Sequence, residues 1–287
     1  MKLGVIGLGL IGGSLALELK ASGNYSEVIG VDESAENCKD ALALGLIDRI
    51  VSFDEACAGA DLMVIATPVS SIKTLLSKIL DRLPVNSVVT DVGSTKSSIV
   101  EEVRLHSKRK QYVASHPMAG TEFSGPKAAH LGLFAGKAAV ICDRESSLES
   151  AVQKVESAYL ALKMRLIFME SRAHDLHAAY VSHLSHISSF ILANTVLDKE
   201  KDVDAIFNLA SGGFESTVRL AKSSPETWNP IFEQNREFVS EALGAYIERL
   251  KLFHESLLKE DFTTTQNYMK QANQIGRVLA EIGKRGT

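Results

Sequence analysis

The stretch ASHPMAGTEFSG, residues 114–125, sets a single histidine, His116, before a proline in a run of small and polar residues. A neutral imidazole accepts a proton at physiological pH, so a histidine held in one pose is a candidate general base. Pro117 fixes the backbone after it, and Gly120 and Gly125 let the chain turn. The plain alternative is a solvated loop histidine. Ser94, in TDVGSTKSS (90–98), offers a hydroxyl, or caps the helix-like KSSIVEEV. Arg219 and Lys222 follow two glycines in NLASGGFESTVRLAKSSPETWNPIFEQN (208–235), which also holds Trp228, the one tryptophan. An arginine binds a carboxylate through two parallel bonds, although a surface arginine needs no ligand. His183 and His186, at i and i+3, share a helix face; on a buried helix they can also be satisfied core groups. There is no HExxH and no third ligand at metal spacing, so no metal is expected.

The clearest cofactor signal is Gly7-Leu8-Gly9-Leu10-Ile11-Gly12, which follows a strand-like run and opens a helix-like one. Gly7 permits the tight turn, Gly9 lets the backbone approach a pyrophosphate, and Gly12 allows close helix–strand packing. The free N–H groups of the helix start, from Leu10 and Ile11 onward, then face the phosphates. The next strand-like run ends in Asp32, where a carboxylate can accept both ribose hydroxyls and repel a 2′-phosphate. Glu33 and Ser34 follow, with no arginine, so NAD is expected rather than NADP. Asp32 can equally cap the helix that follows. IATP (65–68) and TDVGSTKSS end two further strands, which sets Thr67, Pro68, Gly93 and Ser94 near the expected nicotinamide. His116 follows another strand, QYVAS, on the same carboxyl edge. An alcohol oxidised by such a cofactor needs a base, and His116 is positioned for that.

These residues require a scaffold of strands ending at one edge. KLGVIG, EVIGVD, DLMVIAT, SVVTDVG, QYVAS and KAAVICD are strand-like, and helix-spaced segments lie between several of them. The alternation predicts an α/β fold, a Rossmann-type doubly wound parallel sheet with helices on both faces. After about residue 150 come one helix, one strand (MRLIFM) and then helices only, expected at 171–197, 202–211, 229–256 and 258–283. The predicted division is a nucleotide-binding domain over 1–168 and an all-helical domain over 169–287. In the first of those helices Leu176, Tyr180, Leu184, Ile187 and Ile191 form a stripe, and Val181, Phe190 and Leu192 extend it, which suits a core or a subunit interface.

With 287 residues, 45% hydrophobic and 23% charged, the chain reads as soluble and globular. A net charge of −4 gives no electrostatic case for nucleic acid or an anionic membrane. The apolar start MKLGVIGLGLIGGSLAL is broken by five glycines and reads as folded protein rather than a leader or a span. Three scattered cysteines, Cys38, Cys57 and Cys142, fit a reducing cytoplasm.

Taken in order, GLGLIGGSLA, DVGSTKSSI, SHPMAGTEFSG, HDLHAAYVSHLSH and GGFESTVRLAKSSPETWNPIFEQN resemble the prephenate/arogenate dehydrogenase family of tyrosine biosynthesis over nearly the whole length. The resemblance implies hydride transfer to NAD(P) coupled to decarboxylation of a cyclohexadienol. It implies that His116 takes the proton of the ring 4-hydroxyl and that Ser94 orients His116 and touches that hydroxyl. It also implies that Arg219 binds a substrate carboxylate, that Thr121 of the histidine loop contacts substrate, and that His183, His186 or both line the pocket. A homodimer through the helical domain follows as well. Prephenate and arogenate differ far from the reacting carbon; Glu122 could attract the amino group of arogenate. Neither a fused mutase nor a regulatory domain is expected, so inhibition by tyrosine would act at the active site. The rival reading is a 3-hydroxyacid dehydrogenase, suggested by Lys96; a non-catalytic dinucleotide sensor is a more distant one.

Overall fold

The computed structural model describes residues 1–200 and 211–285. Its first part runs β1 (Lys2–Ile6), α1 (Leu10–Ala21), β2 (Glu27–Val31), α2 (Ala35–Ala43), β3 (Arg49–Ile50), α3 (Phe53–Gly59), β4 (Leu62–Ile65) and α4 (Val69–Arg82). It continues through β5 (Val88–Asp91), α5 (Ser97–Glu102), β6 (Tyr112–Pro117), β7 (Ala138–Cys142), α6 (Glu149–Ala161) and β8 (Arg165–Met169). The eight strands form one sheet in the order β3-β2-β1-β4-β5-β6-β7-β8.

The sheet is parallel from β3 to β6, as the alternating pattern predicts, and β1–β2 and β1–β4 set its centre. It departs from that prediction at one end. β7 pairs antiparallel with β6, Pro117 opposite Ala139, and β8 runs parallel to β7. The cause is the connection: a parallel partner needs a crossover helix, and only turns and a short 3-10 segment lie between β6 and β7. The crossover returns with α6, so β8 is parallel again.

Each face of the sheet carries a core. On one side α1 and α6 pack on alternate strand residues, including Leu3, Val5, Val64 and Val113, with α6 contributing Val152 and Tyr159. On the other, α4 buries Val69, Ile72, Leu76, Ile79 and Leu80, a helical i, i+3, i+4 stripe. Ile72 is fully buried, so Ile72→Ala costs about 2–5 kcal/mol.

The second part is helical: α7 (Ser171–Ala178), a π-turn over Ala179–His183, α8 (Leu184–Glu200), α9 (Gly212–Val218), α10 (Pro225–Gln234), α11 (Arg236–Leu258), α12 (Phe262–Ala272) and α13 (Ile275–Arg285). The expected helix at 202–211 lies almost wholly outside the described residues. The expected helix at 229–256 is two helices, divided at Asn235, whose buried side chain hydrogen-bonds the backbone of Asp175. The helix expected at 258–283 is likewise divided, with Asp261 capping α12 by accepting from Thr264 N. α10 docks on the sheet domain through Ile231, which enters the α4-side core.

Candidate active site

The glycine turn between β1 and α1 is built as its spacing predicts. Gly7 has φ of +92°, and a Cβ there would meet Ala66 O at 2.5 Å. A Cβ on Gly12 would lie 1.9 Å from Gly7 O, whereas one on Gly9 would meet nothing within 4 Å. Two glycines are therefore demanded by packing, and the middle one borders open space at the start of α1, beside Leu10 and Ile11. Asp32 closes the turn: its carboxylate accepts Leu8 N at 2.7 Å and Ser34 N at 2.9 Å, and it remains half-exposed. The helix cap is Ser34, which accepts from Asn37 N, so Asp32 does not act as the cap of α2. At the end of β4, Thr67 Oγ1 is buried without a hydrogen-bond partner. Pro68 is the residue before α4, and Gly93 packs so closely that a Cβ would lie 2.8 Å from Ile72 Cδ1. An open glycine, a half-exposed ribose-type carboxylate and an orphaned hydroxyl along one strand edge fit a dinucleotide.

His116 is the last residue but one of β6, inside the strand rather than just past it, and lies at the same edge because β5 and β6 pair in parallel with Asp91 opposite Ala114. Beneath it lies a fully buried ion pair. Lys96 Nζ binds Asp91 and donates to Ser115 O at 2.8 Å, and Tyr112 Oη donates to Asp91 at 2.6 Å. The ammonium of Lys96 is thus spent on fixing the floor of the site, which leaves it no free role as the lysine of a 3-hydroxyacid dehydrogenase. His116 is itself buried, with Nδ1 2.8 Å from His174 Nε2 on α7. His174 Nδ1 lies 2.9 Å from Asp175 Oδ1, and Asp175 accepts Lys96 N at 2.7 Å and Ser97 N at 2.8 Å. The partner of His116 is therefore His174; Ser94, half-buried in the same turn, makes no hydrogen bond to it. Burial, with His174, Lys96 and His183 nearby, holds His116 well below the usual imidazole range. Asp175 is pushed up by burial but held lower overall by hydrogen bonds from His174 and Ser97.

The helical part supplies the facing wall. The π-turn brings His183 into the interior, where its Nδ1 accepts from Asn235 Nδ2 at 3.1 Å; burial pushes its pKa down to about 4. His186 stacks on Trp228, ring centroids 3.5 Å apart, and donates from Nδ1 to Ser182 O at 3.0 Å. Its pKa is also lowered by burial. Arg219, half-exposed, pairs with Glu122 at 3.0 Å, so one ion pair joins the histidine loop to the helical part. Thr121, next to Glu122, is exposed and accepts from Phe123 N at 3.2 Å.

The model of the prephenate dehydrogenase nucleotide-binding domain matches residues 15–168, and that of the prephenate dehydrogenase dimerization domain matches residues 170–271. The chain belongs to the prephenate dehydrogenase family. It is 31% identical to the prephenate dehydrogenase of Bacillus subtilis over 93% of its own length and 72% of that protein. Among solved structures it is similar to prephenate dehydrogenase from Aquifex aeolicus in complex with hydroxyphenyl propionate and NAD+, at 28% identity and a TM-score of 0.88, covering 98% of each chain. It is also similar to Synechocystis arogenate dehydrogenase, at 27% identity and a TM-score of 0.78, covering 97% of this chain and 100% of the other.

Within this family member the structure gathers residues to which the linear pattern gives no part in the site, Lys96 bearing only on the rival reading. Asp91 and Lys96 form the buried pair, Asn235 holds His183, and His174 and Asp175 reach His116. Their signal in the sequence is weak. Only the HD pair at the head of the helical part, polar where a helix should be apolar, marks two of them.

Proposed function

We propose that this chain oxidises prephenate with NAD+, releasing carbon dioxide and forming 4-hydroxyphenylpyruvate in tyrosine biosynthesis. The observation that carries the reading is His116, buried and kept neutral, at the strand edge that also holds the open Gly9 turn and the orphaned Thr67 hydroxyl. Gly7, Gly9, Leu10, Ile11 and Gly12 would cradle the pyrophosphate, and Asp32 the ribose, with Thr67, Pro68 and Gly93 bordering the nicotinamide. When bound, NAD+ accepts the hydride that leaves C4 of the ring. His116 takes the proton of the 4-hydroxyl, and Ser94 meets the same hydroxyl from the adjacent strand end. Arg219 exchanges Glu122 for a substrate carboxylate, Thr121 contacts the substrate at the loop, and His186 on Trp228 lines the pocket beside the more enclosed His183. The protein need only orient the hydride, accept the proton and hold the carboxylates.

A second reading, arogenate as substrate, has one observation in its favour. Glu122 stands next to Arg219, where a carboxylate can hold an ammonium group. We further propose a division at 168/169, a cytoplasmic setting and a homodimer formed by the helical domain. The three cysteines are free, among the described residues no helix is long and apolar enough to cross a membrane, and the helical part exposes Val181, Ile191, Leu250 and Phe262. A single-chain mass in sedimentation would overturn the dimer.

The test is NADH formation by the purified chain with prephenate or arogenate, then with NADP+ in place of NAD+. Turnover with prephenate and NAD+ is expected, and His116→Asn should lower it by ~10²–10⁴-fold while NAD+ still binds. No turnover with either acid, from folded protein that binds NAD+, would overturn the reading.

A further inference from the structure

We propose that His174 and Asp175 are positioning residues that decide which nitrogen of His116 receives the substrate proton, through the hydrogen-bonded chain Asp175–His174–His116. The proposal rests on His116 being the base.

The chain of deductions starts at Asp175. Two backbone N–H groups, of Lys96 at 2.7 Å and Ser97 at 2.8 Å, point at its two oxygens. A carboxylic acid proton would meet them, so Asp175 is an acceptor on both sides. His174 Nδ1, 2.9 Å from Oδ1, must then carry a hydrogen. A neutral imidazole carries only one, so His174 Nε2 is bare and accepts. His116 Nδ1, 2.8 Å away, must donate to it. His116 Nε2 is left without a proton, and it makes no hydrogen bond among the described residues. That is the tautomer a general base needs. In water both tautomers are available; in a buried site with a fixed acceptor only one is.

The same chain answers the charge that appears during reaction. The substrate O–H bond breaks and an N–H bond forms at His116 Nε2. The O–H electron pair becomes the new C=O bond as hydride leaves the carbon. His116 is then a cation facing Lys96 from the turn before α5 and His183 from the π-turn, neither of which offsets it. Asp91 is already engaged by Lys96. Asp175, reached through His174, is the carboxylate of the cluster aligned with the Nδ1–H direction. The geometry repeats the role of the aspartate in a Ser-His-Asp triad, with one imidazole more between carboxylate and base.

Asp175 also anchors the start of α5, so the discriminating substitutions are at His174. Glutamine reaches the position of Nε2 and can accept from His116; asparagine reaches the position of Nδ1 and can bond Asp175 but leaves His116 without an acceptor. A structural role favours asparagine, and a positioning role favours glutamine. We expect His174→Asn to lower kcat by ~10²-fold or more, with KM and the NAD+ Kd within about twofold of wild type. His174→Gln should recover at least about tenfold of that loss. Equal losses in the two variants, or a kcat within about twofold of wild type for His174→Asn, would overturn the proposal. Should His174→Asn fail to bind NAD+ and so fail to fold, His174→Gln decides alone: a kcat within about tenfold of wild type supports positioning, and a larger loss overturns it. His116→Asn is assayed alongside. If that variant retains full turnover, the reading of the base fails, and the failure is distinguishable from that of the His174 chain.

Discussion

The two walls of the site are made differently. The sheet wall rests on two large cores and a fully buried ion pair, and its functional residues sit at strand ends that hydrogen bonds hold in register. The helical wall has a core of its own of four buried residues, Ala179, Phe238, Val239 and Ala242, and it exposes Val181, Ile191, Leu258 and Phe262. The rigid wall carries the atoms that the proposed reaction needs placed to a fraction of an ångström, His116 as base and the strand ends that would hold the cofactor. The looser wall carries the groups proposed to recognise a substrate, Arg219 and the Trp228–His186 stack. Two helices cross this division: α10 sets Ile231 in the α4-side core, and α7 delivers His174 and Asp175 to His116.

The contrast is broken most severely from the sheet side. Lys96→Met should leave Asp91 buried with Tyr112 and Gly93 N as donors but no counter-charge. Removing one partner of a buried pair costs about 3–5 kcal/mol, and urea denaturation should show that loss. A loss below about 1 kcal/mol would mean that Asp91 takes up a proton at little cost and that the floor of the site is less rigid than the contrast requires.

The next effect lies where the walls meet and depends on pH. Burial lowers His183 from an ordinary 6.5 to about 4. Between those values the unfolded chain binds the extra proton, so acid favours unfolding. The contribution is fully present above about pH 6.5 and is lost progressively as pH falls toward about 4, on the order of 3 kcal/mol in all. His116 and His186 are shifted in the same direction and add to the slope. His183→Asn keeps an acceptor for Asn235 and should flatten the dependence of denaturation free energy on pH in that window. An unchanged slope would mean that His183 is hydrated in solution.

Much of the rigid wall was legible in the sequence, and the reason is locality. Gly7, Gly9 and Gly12 act within one turn, and seven strands announced themselves as short strand-like runs, several of them rich in Val and Ile. The rule that ligands lie beyond strand ends then brought Thr67, Gly93, Ser94 and His116 to one edge. Strand β3, two residues long, gave no pattern to read. The reversal at β7 depended on a missing crossover helix, and the partners of His116 lie far along the chain, with His174 58 residues away. Only the fold shows such pairs. The helical wall was read least well, because a π-turn and the break at Asn235 shift faces without altering the apolar period.

Arg219 tests the recognition side. Arg219→Gln removes a half-exposed guanidinium whose described partner is Glu122. A charge-assisted hydrogen bond to substrate is worth about 1.5–3 kcal/mol, so kcat/KM should fall roughly 10–100-fold, mostly through KM, with the melting temperature little changed. An equal fall in kcat with KM unchanged would move Arg219 from substrate binding to the chemistry.

The smallest effect sharpens the comparison furthest. Glu122 and Arg219 make the only described ion pair between the histidine loop and the helical part, but Arg219 is half-exposed and water screens the pair. Glu122→Gln should therefore change unfolding free energy by less than about 1 kcal/mol. Its consequence should appear in substrate choice instead. With prephenate, the variant frees Arg219 from a competing carboxylate, so KM should fall or hold. With arogenate it removes the one carboxylate beside Arg219 able to hold the amino group, so KM should rise. The ratio of kcat/KM for the two acids would then move toward prephenate by up to about fivefold, the value of one exposed charged contact. A ratio that stays fixed would show that discrimination lies elsewhere on the helical wall, with the His186–Trp228 stack the next place to look. A large loss of stability would show instead that the loop and the helices are held together by this pair, and that the helical wall is less independent than its small core suggests.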